Sequence, residues 1–251
     1  MSYIGVDWAS KGWFAVSVNE GCIEELGFYP TIFNLWNQHS TADRILIDIP
    51  IGLCTDQRRE CDVEAKEMLN PHRGSSLFYT PIRDAVQAEN IEAAKAEQSD
   101  LDFSVQNQAW ALVPRIREVD EFLAMFADEL EPTQIRETHP EVCFAALNEG
   151  EPVSSKKKSK DGIDARLDLL ESHLTNPRGK FEEAVETYTE PAYAPVIGKS
   201  KRDDILDAMV AALTAEQCGD DPSRLPRKTE PQVDEARERE IEIIYYPEVT
   251  Q

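Results

Sequence analysis

The first fifty residues carry the pattern that most constrains the fold. Three short runs of β-branched, aromatic and other apolar residues, 3–8, 13–18 and 22–29, are separated by turn sequences and predict an antiparallel meander. A helical pattern at 30–38 then precedes a nearly continuous apolar run at 44–49. An apolar strand behind a helix predicts a crossover to a parallel, buried position. We therefore expect an α/β fold with a mixed central sheet, three antiparallel strands followed by parallel strands, flanked by helices.

The segment 52–131 is predicted to be a helical insertion between core strands. Its candidate helices lie near 60–69, 82–97 and 104–130, and are interrupted by prolines and a polar turn. After the insertion the sequence predicts a strand, three helices and a terminal edge strand. These are expected at 133–138, 162–174, about 179–189, 201–218 and 240–246.

Length and composition favour a single compact unit. A chain of 251 residues with 41% hydrophobic content can bury a full core. We expect one domain over 1–218, followed by a C-terminal extension over 219–251. No run approaches the roughly 18 to 20 apolar residues that a membrane span needs, so the prediction is a cytoplasmic protein without membrane contact. The five cysteines are scattered, which indicates reduced thiols.

The charge of the chain is strongly negative and bears on its partners. The formal net charge of −22 comes from 48 acidic and 26 basic side chains spread along the sequence. This pattern is typical of a halophilic, archaeal-like acidic surface, which keeps a protein soluble. The alternative is an acidic protein that avoids nucleic acid. Because nucleic-acid binding usually depends on cationic side chains, the charge weakens a nuclease interpretation without excluding it.

Two predicted strands each deliver an aspartate near the end of an apolar run. Asp7 ends the first strand, and Asp48 lies at the corresponding place on the strand 44–49. Asp204 and Asp207 are three residues apart and share one face of the last strong helix. Helix capping is the alternative for Asp204. The alanines of this helix allow it to lie close to the sheet, which would bring all four carboxylates to one place.

Clustered carboxylates repel one another unless a cation or protonation neutralises them. An all-oxygen cluster suits Mg²⁺ or Mn²⁺. Two such ions about 4 Å apart activate water and stabilise the leaving oxygen in phosphodiester hydrolysis. The residues thus predict a two-metal nuclease with Asp7, Asp48, Asp204 and Asp207 as ligands and catalytic groups.

The strand with Asp7, the strand with Asp48 and the helix segment 204–208 resemble the ribonuclease H-like superfamily, especially the Holliday-junction resolvases. A wider set of segments, covering roughly residues 1–216, resembles the domain of unknown function 429 family, whose members are described as predicted ribonuclease H-like nucleases. The resemblance implies a ribonuclease H-like fold and an acidic site, and it implies no particular substrate. The matching segments are 5–7, 48–53, 58–62, 74–78 with Pro81, 118–120, 139–144, 155–157 and 203–208.

The matching segments add further candidate residues. Glu141 is a candidate catalytic ligand, with helix capping as the alternative. His139 is a candidate for binding substrate or moving a proton, or a structurally bonded histidine. Arg58, Arg73 and Arg83 suit phosphate, although ion pairing with the many acids is the commoner use of such side chains.

The run 154–160 holds the strongest cationic patch of the chain. Lys156 and Lys157 within it are candidates for holding a phosphate backbone, and a solvated loop is the alternative.

Three functions follow from these candidates. The first is a divalent-metal-dependent nuclease with DNA or RNA as its partner. The second is a non-catalytic ribonuclease H-like binding or scaffold protein. The third is a phosphate-binding protein of the actin-like fold, which the single glycine of the turn 8–12 disfavours. The oligomeric state does not follow from the sequence.

Overall fold

A computed structural model describes residues 1–72, 74, 77–131, 133–190 and 195–249. Its centre is a five-stranded mixed sheet in the order β3-β2-β1-β4-β5. The pairs β1/β2 and β2/β3 are antiparallel, whereas β1/β4 and β4/β5 are parallel. The predicted meander and parallel crossover are therefore confirmed. The strands are β1 Tyr3–Trp8, β2 Trp13–Asn19, β3 Cys22–Tyr29, β4 Arg44–Ile47 and β5 Ile135–Glu137.

Helices cover the sheet and fill the insertion. The helix predicted at 82–97 is two helices in the structure, because the Asn90 side chain accepts a hydrogen bond from the Ala93 backbone N–H and starts a new helix there. A helix after β5 had no counterpart among the predicted elements. The helices are α1 Ile32–His39, α2 Glu60–Leu69, α3 Arg83–Gln87, α4 Ile91–Glu97, α5 Asn107–Met125, α6 Pro140–Leu147, α7 Lys160–Glu171, α8 Pro177–Ala184 and α9 Asp203–Gln217.

The position of α9 against β1 decides where the acidic residues lie. A Cβ atom at Gly5 would come within 2.0 Å of the Ala212 backbone nitrogen and 2.2 Å of the Ala208 carbonyl oxygen. Glycine is therefore required at this crossing. The small residues of α9, all buried, allow the close approach that the sequence predicted. The N-terminal end of α9 consequently lies next to the end of β1.

The C-terminal extension packs into the same core and adds no strand to the ladder of the central sheet. In place of one edge strand at 240–246, the structure has β8 (Arg239–Ile241) and β9 (Ile243–Tyr245). They pair with β7 (Gln232–Asp234) and β6 (Ser223–Leu225) in two separate small sheets. A single parallel bridge from Ile244 to Thr138 connects β9 to the end of β5. The predicted edge strand is therefore wrong in detail, because the chain changes partner within it.

Among the helices described, none combines the length and apolar character needed to cross a membrane.

Candidate metal centre

Three buried aspartates converge where β1 meets the first turn of α9. Asp7, Asp204 and Asp207 each place a carboxylate oxygen so that the three oxygens lie within 4.8 Å of one another. Asp7 stands near the end of β1, and Asp204 and Asp207 lie on the α9 face that the Gly5 contact presses against the sheet. The close helix crossing therefore brings together acids that are about two hundred residues apart in sequence.

Asp48 lies just outside this group of three and faces the same cavity. Its backbone N–H donates to the Val6 carbonyl at 2.9 Å, which continues the β1/β4 pairing by one residue. The cavity has a volume of about 340 Å³ and is lined by all four predicted aspartates. The structure thus places the four predicted ligands around one cavity.

Burial and mutual repulsion disfavour the charged forms of these acids. Burial, followed by the charges of Asp204 and Asp48, raises the pKa of Asp7 well above its usual value. Burial and the charge of Asp207 raise the pKa of Asp48 to about 8. Burial also raises the pKa of Asp204 to about 7 and that of Asp207 to about 6. Burial is the largest cause at each of the four acids, and repulsion from neighbouring carboxylates adds to it.

Lysine side chains offset part of this negative charge. The Lys157 ammonium contacts the Asp207 carboxylate and lies 3.4 Å from that of Asp203. Although burial opposes it, Asp207 and Asp7 hold the pKa of Lys157 well above its usual value. Lys201 lies 3.7 Å from an oxygen of Asp204.

Several buried carboxylate oxygens still lack a hydrogen-bond partner among the described residues. They are Asp203 Oδ1, Asp204 Oδ2 and Asp207 Oδ1. Buried polar atoms are nearly always bonded, so unbonded oxygens on Asp204 and Asp207, two members of the convergent group, indicate room for a cation. The residues therefore fit a divalent ion with an oxygen coordination shell.

The start of α7 holds Lys157 in place. Ser159 caps α7 by accepting a hydrogen bond from the Gly162 N–H, and it donates one to the Lys156 carbonyl at 2.7 Å. A Cβ at Gly162 would lie 1.9 Å from that carbonyl, so the loop requires a glycine there to pack on the helix. One lysine of the cationic run, Lys157, therefore lines the acidic cavity.

His139 also lines the cavity, just before α6. Burial lowers its pKa to about 4. Its Nδ1 atom is buried without a hydrogen-bond partner in the described part of the chain. The ring is therefore neutral at pH 7 and offers a lone pair or a single N–H to the cavity.

The other predicted site residues are not among those that line the cavity in the described chain. Glu141 accepts hydrogen bonds from Arg166 at 2.7 and 2.8 Å. Arg58 bonds the Asp102 carbonyl and stacks over the ring of Tyr79. Both side chains therefore have partners within the protein, and the charge of Glu141 adds to burial in raising the pKa values of Asp207 and Asp48.

Arg83 forms ion pairs with Asp120 and Asp234. Lys156 is exposed, and its carbonyl serves the Ser159 cap. Arg73 lies outside the described residues. Of the six predicted substrate-binding residues, the structure brings Lys157 and His139 to the acids.

Sequence reasoning missed several groups around the cavity. Lys201, three residues before Asp204, could have been found from helix spacing. Asp62 and Glu137 line the cavity too, but both are paired with Arg59, at 3.6 and 2.6 Å. No local pattern distinguishes these arginine-paired acids from Asp7, Asp204 and Asp207.

Residues 5–231 match the family described as "Protein of unknown function (DUF429)". No curated protein and no solved structure matches the chain significantly. The match covers β1 from Gly5 onward, the other strands of the central sheet and α9, and it extends past residue 218 into the C-terminal extension.

Proposed function

Because the chain belongs to the DUF429 family of proteins of unknown function, its chemistry must be inferred from its site, and we propose that it is a divalent-metal-dependent nuclease. Its reaction would be hydrolysis of phosphodiester bonds in DNA or RNA. The observation that carries this proposal is the group formed by Asp7, Asp204 and Asp207, whose oxygens lie within 4.8 Å of one another.

The four aspartates have separable roles in this proposal. Asp7, Asp204 and Asp207 would hold Mg²⁺ or Mn²⁺, with Asp48 beside them, since hard oxygen ligands suit these ions. When bound, such ions activate water and stabilise the leaving oxygen of a phosphodiester. Lys157 and Lys201 line the same cavity and can offset the charge of an incoming phosphate.

A ribonuclease H-like classification of the fold is part of the same proposal. The central sheet has three antiparallel strands followed by parallel strands, in the order β3-β2-β1-β4-β5. Its acids lie on β1, after β4 and on the helix that crosses β1. Both features agree with the arrangement that the sequence resemblance implies.

The test is calorimetric titration of Mn²⁺ in high KCl, followed by cleavage assays. Three proteins are compared: wild type, the double variant Asp7→Asn plus Asp207→Asn, and the control double variant Asp164→Asn plus Asp168→Asn. The control removes two carboxylates from the surface of α7, where both contact Arg178 of α8. We expect wild type and control to bind Mn²⁺ and the site variant to lose binding.

Cleavage is then measured on single-stranded, duplex and branched DNA and RNA. We expect activity in wild type and control and a loss of at least about a thousandfold in the site variant, because transition-state charge stabilisation is lost. Metal binding without cleavage of any substrate would overturn the nuclease proposal in favour of a binding protein. Absence of Mn²⁺ binding in wild type would overturn the metal site itself.

A further inference from the structure

The cavity beside the acids has a second, apolar part. Trp8 follows Asp7 directly, and Phe78 and Leu112 reach the cavity from the loop after α2 and from α5. Pro50, Pro81 and Ile116 complete this lining. One space of about 340 Å³ therefore joins a cluster of carboxylates to an apolar wall.

Phe78 and Leu112 do not serve the protein core. Neither belongs to any of the hydrophobic clusters formed by the described residues. Phe78 is half-buried and pairs with no other aromatic ring in the described chain, and Leu112 is 37% exposed. Large apolar side chains left unpacked beside a cavity mark a surface that a ligand covers.

A cationic side chain lies over the ring of Trp8. The guanidinium of Arg115 lies 4.2 Å from the centre of the Trp8 ring and contacts Glu118. The Arg115 side chain is 27% exposed. Aromatic rings flanked by arginine and lysine are the usual platform for an unpaired base and its phosphate.

We infer that this cavity receives the base of an unpaired nucleotide, so that the substrate is single-stranded nucleic acid. The inference rests on the proposed nuclease function and names its substrate class. The base would stack against Phe78 and contact Leu112, while the adjoining phosphate would face Asp7, Asp204, Asp207 and Lys157. A nucleotide joins a planar apolar end, which suits the apolar wall, to an anionic end, which would face the metal ions that the carboxylates hold.

The alternative of a duplex substrate fits the molecule poorly. A base within a duplex is stacked and must be flipped out before it can enter a pocket. Cavities that enclose small ligands begin at roughly 300 Å³, so this one has room for one nucleotide. The net charge of −22 also offers little to the backbone of a second strand.

The test uses one fluorescein-labelled DNA strand, alone and annealed to its complement, with Mn²⁺ as the metal. A parallel set of strands carries an abasic site at successive positions. The variants are Phe78→Ala, Phe78→Trp and the control Phe33→Ala, which removes a 37% exposed ring from α1. Binding is followed separately in Ca²⁺ through the fluorescence of a 2-aminopurine placed in the strand.

We expect single strands to be cut at least tenfold faster than the duplex. Phe78→Ala should raise KM roughly 5- to 150-fold, the range for one stacked base, with Phe78→Trp close to wild type and Phe33→Ala unchanged. An abasic site should abolish the cut beside it, and 2-aminopurine should be quenched by wild type but not by Phe78→Ala.

The outcomes separate the two proposals. Equal cleavage of strand and duplex with no effect of Phe78→Ala or of abasic sites would overturn the base pocket and leave the nuclease standing. Quenching that depends on Phe78, with no cleavage of any substrate, would support the base pocket while overturning the nuclease proposal.

Discussion

Asp7 and Asp120 have the same fractional exposure, 7%, and opposite electrostatic surroundings. Asp120 on α5 accepts hydrogen bonds from Arg83 at 3.2 and 3.3 Å and from Arg237 at 3.0 and 2.6 Å. Burial acts to raise the pKa of Asp120, but these two arginines hold it below its usual value. Asp7 accepts a hydrogen bond from the Trp8 N–H and lies among carboxylates, and its pKa is raised well above the usual value by burial and by Asp204.

The difference shows which buried acids the fold itself neutralises. Burying a carboxylate is costly unless it is paired and hydrogen-bonded. Around Asp120 the chain supplies the guanidinium groups for this purpose. Around Asp7 it supplies Lys157 for a larger number of carboxylates, and buried oxygens stay unbonded within the described structure. The missing positive charge at Asp7 is what a divalent ion would provide.

The comparison between Asp7 and Asp120 is tested most directly by making the same substitution at each aspartate in metal-free protein. Asp120→Asn should lower the free energy of unfolding by roughly 3 to 5 kcal/mol, because it breaks a buried ion pair and removes the carboxylate that Arg83 and Arg237 share. Asp7→Asn should raise it by on the order of 1 kcal/mol at pH 7.5, because Asp7 is ionised in the unfolded state and on folding must either repel its acidic neighbours or take up a proton, whereas asparagine does neither. Urea unfolding with EDTA measures both values.

Asp164→Asn on the exposed face of α7 serves as the control and should change the free energy of unfolding by less than about 1 kcal/mol. If Asp7→Asn destabilised the metal-free protein as strongly as Asp120→Asn, the four carboxylates would be structural groups with adequate partners. The contrast between the two regions would then have no bearing on metal binding.

The sequence was sufficient for the sheet and for the four aspartates because both depend on local patterns. Alternation and apolar runs located β1 to β4, and the alanines of α9 indicated its close approach to β1. The pairing of the acids depends on contacts that no local pattern contains. Asp120 is separated from Arg237 by 117 residues, and that arginine lies in the segment predicted as a separate extension.

The same limit applies to two further regions. Glu141 had the sequence context of a ligand, and its pairing with Arg166, 25 residues later, was not contained in that context. The short strands β8 and β9 could not be separated within the apolar run 240–246, because their partners β7 and β6 are chosen by tertiary packing. Local propensity is a weak guide where strands are three residues long.

Added metal should stabilise the folded protein, because a divalent ion would supply the positive charge that Asp7 lacks and Asp120 has. An Mn²⁺ concentration about a hundredfold above Kd stabilises the folded state by about 2.7 kcal/mol, which for a chain of this size raises Tm by roughly 5 to 10 °C. The variant Asp7→Asn plus Asp207→Asn should show no rise. Thermal unfolding followed by circular dichroism, with EDTA and with Mn²⁺, measures the difference. An equal rise in both proteins would place the ion at another site.

The pH dependence of metal-free stability sharpens the comparison further. An unfolded aspartate has a pKa of about 3.9, whereas the folded values are about 6 for Asp207, about 7 for Asp204 and about 8 for Asp48. Between pH 4 and 8 the folded state therefore holds more protons than the unfolded state, and stability falls as pH rises. The slope is about 1.4 kcal/mol per pH unit for each extra proton.

Urea unfolding at pH 5.5 and pH 8, with EDTA, measures this loss. Because other groups also titrate, the decisive quantity is the difference between wild type and the variant Asp7→Asn plus Asp207→Asn. The variant should lose less stability over the same interval. If the free energy of unfolding fell equally with pH in the two proteins, the pKa values of the acidic site would not be raised, and this prediction would be wrong.

The smallest expected effect concerns Lys157, the cation that the chain places on the acids. Lys157→Met removes the ammonium that contacts Asp207 and lies 3.4 Å from Asp203. A divalent ion then no longer competes with it, and Mn²⁺ should bind up to about tenfold more tightly, or about 1.4 kcal/mol. Calorimetry measures this, with the exposed neighbour in Lys158→Met as the control. Weaker Mn²⁺ binding in Lys157→Met would instead mean that the lysine positions the carboxylates for the ion. The acids around Asp7 would then depend on a cationic side chain of the protein, as Asp120 does.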